Sequence, residues 1–67
     1  MEAVELRTLK KDEYFILKPL ENPKDSQVWL KGTYDRGSKA WSAINFDDCS
    51  RERFFHGKRI VYVGFTF

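Results

Sequence analysis

The stretch VWLKGTYDRGSKAW, Val28–Trp41, decides the fold. Its flanks are β-branched and aromatic, and Asp35-Arg36-Gly37-Ser38 between them has the composition of a turn. The pattern predicts a hairpin of Val28–Tyr34 with Lys39–Asn45, and Gly37 is the natural site for a positive φ. A four-residue loop sets Tyr34 against Lys39, Gly32 against Trp41 and Leu30 against Ala43. Val28, Leu30, Gly32, Trp41 and Ala43 then share the inner face, with the Trp41 indole covering the bare backbone of Gly32. Trp29, Lys31, Thr33, Ser42 and Ile44 take the outer face. This register makes Trp41 a core residue and Trp29 a surface one, and a slip of one residue exchanges them.

Outward from the hairpin, the chain reads as more short strands. On the N-terminal side, Val4–Leu6 and Tyr14–Lys18 are strand candidates, with a turn at Lys10–Glu13. Phe15 and Leu17 share one face of the second, and Pro19 ends it. Glu21–Gln27 is a polar loop. On the C-terminal side, FDDCSRERFFHGK predicts a helical or 3₁₀ segment capped by Asp47 or Asp48 and ended by Gly57. One of Phe54 and Phe55 anchors it. RIVYVGFTF is a strand with Val61, Val63, Phe65 and Phe67 on one face, bent at Gly64. The sum is one all-β domain over residues 1–67. Its predicted form is a small SH3-like or OB-like partly open barrel of four to five strands, with a single open sheet as the alternative.

The composition restricts what such a domain can use for stability. A chain of 67 residues is one domain at most and has little surface to bury. Cys49 is the only cysteine, so no internal disulfide forms, and Cys49 with His56 falls short of a structural zinc set. Eleven aromatic residues (six Phe, three Tyr, two Trp) supply the core instead. The lone cysteine fits a reducing compartment. The N-terminus lacks a signal-like apolar run, and no stretch reaches membrane-span length. A soluble, cytoplasmic protein is expected.

Several pieces taken together resemble a group of small β-rich proteins of Bacteroides-type gut bacteria: GTYDRGSK (Gly32–Lys39), NFDD (Asn45–Asp48), RERFF (Arg51–Phe55) and IVYVGFTF (Ile60–Phe67). The LKKDEYFILKP start is similar too. The resemblance implies a small bacterial β domain and brings no activity with it. In that pattern a tyrosine often stands at the place of Trp41 and a cysteine at that of Ala43, which suits inward-facing positions.

Catalytic chemistry finds little to work with. Cys49 and His56 are seven residues apart, roughly 10 Å along a helix at 1.5 Å per residue, and a thiolate–imidazole pair needs contact. Asp35, Asp47, Asp48 and Glu52 are possible acids, bases or cation ligands, but the first three serve more simply in turns and caps. Four scattered glycines make no phosphate-binding loop. The expectation is a non-enzyme without cofactor or metal.

Binding is the more productive class. Residues 1–27 carry five basic and six acidic side chains, whereas residues 28–67 carry seven and four. The second half therefore has a modest basic excess, interleaved with aromatics. Single-stranded nucleic acid suits that combination, with bases stacked on rings and phosphates held by cations. The candidate ligand residues are Trp29, Lys31, Tyr34, Arg36, Lys39, Arg51 and Arg53, with Tyr62, Lys58 and Arg59 nearby in type. The net charge of only +2 weighs against this reading. The alternative is a protein-interaction module that uses an aromatic groove or an edge strand such as the one ending in GFTF, as a monomer or weak homodimer.

Overall fold

The computed structural model describes residues 1–65, and the expectations for Thr66 and Phe67 lie outside them. Six strands form: β1 (Glu2–Glu5), β2 (Tyr14–Ile16), β3 (Val28–Asp35), β4 (Ala40–Asn45), β5 (Glu52–Phe55) and β6 (Ile60–Val63). All pair antiparallel in one sheet of order β1-β6-β2-β3-β4-β5. Two 3₁₀ turns, Leu6–Thr8 and Asp25–Gln27, are the only helical pieces among the described residues.

The sheet rolls on itself without closing. Phe55 lies on the edge strand β5, yet its ring meets Phe15 of β2 at 6.2 Å and Trp29 of β3 at 5.8 Å, both edge-to-face. Strands that far apart in a flat sheet do not touch. Leu6, Leu9, Ala43 and Val61 complete this core. At one end, the Leu6 amide donates to the Arg59 carbonyl and the Arg7 amide to that of Gly57, both at 2.9 Å. These bonds tie the chain after β1 to the turn after β5. The result is the expected all-β, partly open barrel. β2 and β6 follow the predicted faces, with Phe15 and Val61 fully buried. Gly64 makes the predicted bend at φ 80°.

The hairpin forms with a different register. Trp29 pairs with Asn45, Leu30 with Ile44 and Lys31 with Ala43, while Tyr34 pairs with Trp41 and Asp35 with Ala40. A bulge between Lys31 and Tyr34 separates the two sets. The turn falls one residue later than predicted, and the extra residue of the bulge then inverts Trp29–Lys31 of β3, while Trp41 and Ala43 of β4 keep the predicted inner face. Gly32 sits in the bulge because a Cβ there would collide with the Ser42 hydroxyl oxygen, which also accepts the Thr33 amide at 3.0 Å. Trp41 instead lies against Gly57, where an added Cβ would come within 3.0 Å of the indole nitrogen. The left-handed turn position belongs to Lys39, at φ 55°, and not to Gly37.

The segment after the hairpin is also corrected. Asp47 and Asp48 do not cap a helix. Their amides donate to the Asn45 Oδ1 at 3.0 and 3.2 Å, which turns the chain back toward β4. β5 then forms where a helical segment was expected, which raises the strand count to six. Phe55 is the anchor, and Phe54 is half exposed.

Candidate functional site

The two faces of the β2–β5 sheet differ from what their residue types suggest. Trp29 and Lys31 were expected outside as ligand contacts, but both point inward and are buried. Trp29 packs edge-on against Phe55, with the Arg51 guanidinium 5.9 Å from its ring. Lys31 Nζ donates to the Leu9 carbonyl and, at 3.4 Å, to that of Arg7, the free acceptors at the end of the first 3₁₀ turn. It also sits 3.9 Å from the centre of the Trp41 ring, a cation–π contact. Burial lowers the Lys31 pKa from its ordinary value of 10.5, and the negative charge of Glu13 partly opposes the shift.

A second buried polar group, Asn45, holds the far end of the same face. Its amide nitrogen donates to the Ser26 carbonyl at 2.9 Å, while its oxygen receives the Asp47 and Asp48 amides. No buried side-chain donor or acceptor is left without a partner among the described residues. The inner face is therefore satisfied internally and offers little to a ligand.

The outer face is the reverse. Tyr14, Leu30 and Ile44 stand side by side across β2, β3 and β4. Phe46 joins them through an edge-on contact with Tyr14 at 5.8 Å, and its amide bonds the Val28 carbonyl. Phe54 extends the row diagonally on β5. Tyr14, Ile44, Phe46 and Phe54 are 44, 37, 41 and 49% exposed. Over part of this row lies a shallow groove of about 460 Å³, rimmed by Lys11, Asp12, Cys49 and Glu52. Sequence reading missed the row because the shifted register had assigned Leu30 to the core and Ile44 to a polar face.

The remaining predicted contacts are on the surface but spread apart in the fold. Arg36 is in the hairpin turn with Lys39 and Tyr34 beside it, and Tyr34 stacks edge-on with Trp41 at 5.2 Å. Arg51 and Arg53 lie at β5, with Arg59 5.4 Å from the Phe55 ring. The acids are occupied in turns. Asp35 accepts the Ser38 hydroxyl at 2.8 Å and the Gly37 amide at 3.2 Å, and these bonds lower its pKa. Asp48 is lowered in the same way by the Ser50 hydroxyl and amide. Cys49 and His56 sit at opposite ends of β5, and the His56 Nδ1 accepts the Lys58 amide at 3.2 Å.

Among the described residues no cluster of His, Cys, Asp or Glu could hold a metal ion. Among the same residues no helix is long and apolar enough to cross a membrane. No family model, curated protein or solved structure matches the chain.

Proposed function

We propose that this domain is a non-catalytic protein-interaction module whose docking surface is the outer row Tyr14, Leu30, Ile44, Phe46 and Phe54. The observation that carries the reading is that Tyr14, Ile44, Phe46 and Phe54 are exposed on one face, with the half-buried Leu30 between Tyr14 and Ile44. A patch of this kind, rimmed by charges, marks an interaction surface more often than a solvent-facing sheet needs it. The inner face supports the same reading, because aromatic packing and two satisfied polar groups hold the fold there without the outer row.

Single-stranded nucleic acid is the weaker reading. With Trp29 and Lys31 inside, Tyr34 is left as the exposed ring beside Arg36 and Lys39, and Arg51 and Arg53 lie on another strand. The test is photo-crosslinking in native cell extract from residues placed at Ile44 and at Phe46, with Lys24 on the polar loop as control. The same protein adduct from both outer positions, insensitive to nuclease and absent from Lys24, is the expected result. Adducts that vanish with nuclease favour the nucleic-acid reading, and no adduct at all rejects the docking surface.

A further inference from the structure

We infer that the free edge of β5 takes up an extended acidic segment of another protein as an added strand. This rests on the protein-interaction reading and names the chemistry of the partner. β5 is a terminal strand of the sheet. The Asn45 amide donates to the Arg51 carbonyl, which fixes the phase of the β4–β5 ladder. The Arg51 carbonyl and the backbone groups of Arg53 and Phe55 then face β4, and the amides and carbonyls of Glu52 and Phe54 point away from it. Among the described residues no other segment bonds them. Such an edge is a template for one more strand.

Charge selects the occupant. Residues 51–59 carry Arg51, Arg53, Lys58 and Arg59 against the single acid Glu52. All five are exposed. A strand laid along β5 places alternate side chains beside Arg51 and Arg53, where carboxylates are favoured. Its other side chains lie beside Glu52 and Phe54, and an apolar residue next to Phe54 continues the outer row. A second copy paired edge to edge about Arg53 would set two arginines directly opposite each other, which disfavours it. The other edge, β1, carries Glu2 and Glu5 and repels the same acidic segment.

The probe is a strand-length peptide alternating glutamate and valine, with a lysine–valine peptide as control and a single-stranded oligonucleotide as competitor. Amide spectra and amide exchange of the whole chain are followed during titration. The glutamate peptide is expected to slow exchange at Glu52 and Phe54, and the lysine peptide to leave both unchanged. Arg51→Glu with Arg53→Glu should weaken binding by about tenfold, and added salt should weaken it in the native chain. Phe54→Pro removes an outward amide that the β4 ladder does not use, so it should abolish binding while the spectrum stays folded. If that variant unfolds, N-methylation of Phe54 in a synthetic chain makes the same deletion.

The inference is overturned by no binding of the glutamate peptide, binding that survives loss of the Phe54 amide, displacement of the peptide by the oligonucleotide, or concentration-dependent self-association abolished by Arg51→Glu. The last would identify the acidic β1 edge of a second copy as the occupant. Peptide shifts confined to Tyr14, Ile44 and Phe46 end the β5 inference and leave the outer-row reading standing. Failure of the Ile44 and Phe46 crosslinks removes the outer row instead.

Discussion

The inner and outer faces of this sheet reverse the usual sorting of residues. A lysine and an asparagine lie inside, while a tyrosine, an isoleucine and two phenylalanines stand outside. What keeps the two polar groups inside is that each finds a partner. Lys31 and Asn45 reach carbonyls and amides that the surrounding turns leave open, so burial costs them little. Of the outer apolar side chains, Tyr14, Ile44, Phe46 and Phe54 are each more than a third exposed. The inner face is organised for stability, and the outer one carries exposed apolar side chains.

Breaking the inner face should have the largest effect. Trp29→Ala removes the ring that joins β3 to Phe55, and a loss of about 3–5 kcal/mol is expected, enough to unfold a domain of this size. Ile44→Ser on the outer face should change stability by less than about 0.5 kcal/mol. Denaturant midpoints of the two variants measure the contrast directly, and equal losses would erase it.

Asn45→Ala tests the polar half of the inner face. It strands the Ser26 carbonyl and the Asp47 and Asp48 amides together, so about 2–3 kcal/mol should be lost. Amide exchange should rise first at Asp47 and Asp48. An unchanged denaturant midpoint would mean that water replaces the side chain.

Lys31 sharpens the comparison through pH. Its folded pKa lies below its ordinary value of 10.5, so between the two the unfolded chain binds more protons and stability rises with pH. The contribution is fully present above 10.5 and is lost as pH falls through the lowered folded value. Lys31→Met should cost about 1–2 kcal/mol near neutrality, because the Arg7 and Leu9 carbonyls lose their donor. It should also lack the alkaline rise. Unfolding free energies of both proteins across that window decide the matter; parallel curves would place the lysine in water.

A small effect of the opposite sign belongs to the hairpin tip. Lys39 holds a left-handed conformation that glycine adopts without strain. Lys39→Gly should therefore stabilise the fold by about 0.5 kcal/mol, read as a small upward shift in Tm.

These residues also show what the sequence makes legible. The hairpin, β2 and β6 follow from β-branched and aromatic runs bounded by turn residues, and their existence survives any error in register. The faces of β3 do not, because one extra residue in the bulge inverts the side chains of Trp29–Lys31. Gly32 is the one local sign of that bulge, and it reads equally well as a place for an overlying indole. β5 was hidden because Asp47, Asp48 and Gly57 carry the punctuation of a helix. Here the Asn45 side chain gathers the Asp47 and Asp48 amides instead. The burial of Lys31 has no local signal, since its acceptors, Arg7 and Leu9, lie more than twenty positions away in the chain. The outer row became visible only once the register was fixed.

The pairing of β1 with β6 sets a kinetic condition on this protein. Glu2 lies opposite Val63, so β1 is synthesised well before β6, its neighbour in the sheet. Closing so long a loop comes before the contacts that reward it, which places folding in the slow range of small β domains, roughly milliseconds to seconds. During synthesis Glu2–Glu5 stays an unpaired strand, and its two glutamates give it a charged edge that discourages misplaced partners in that interval.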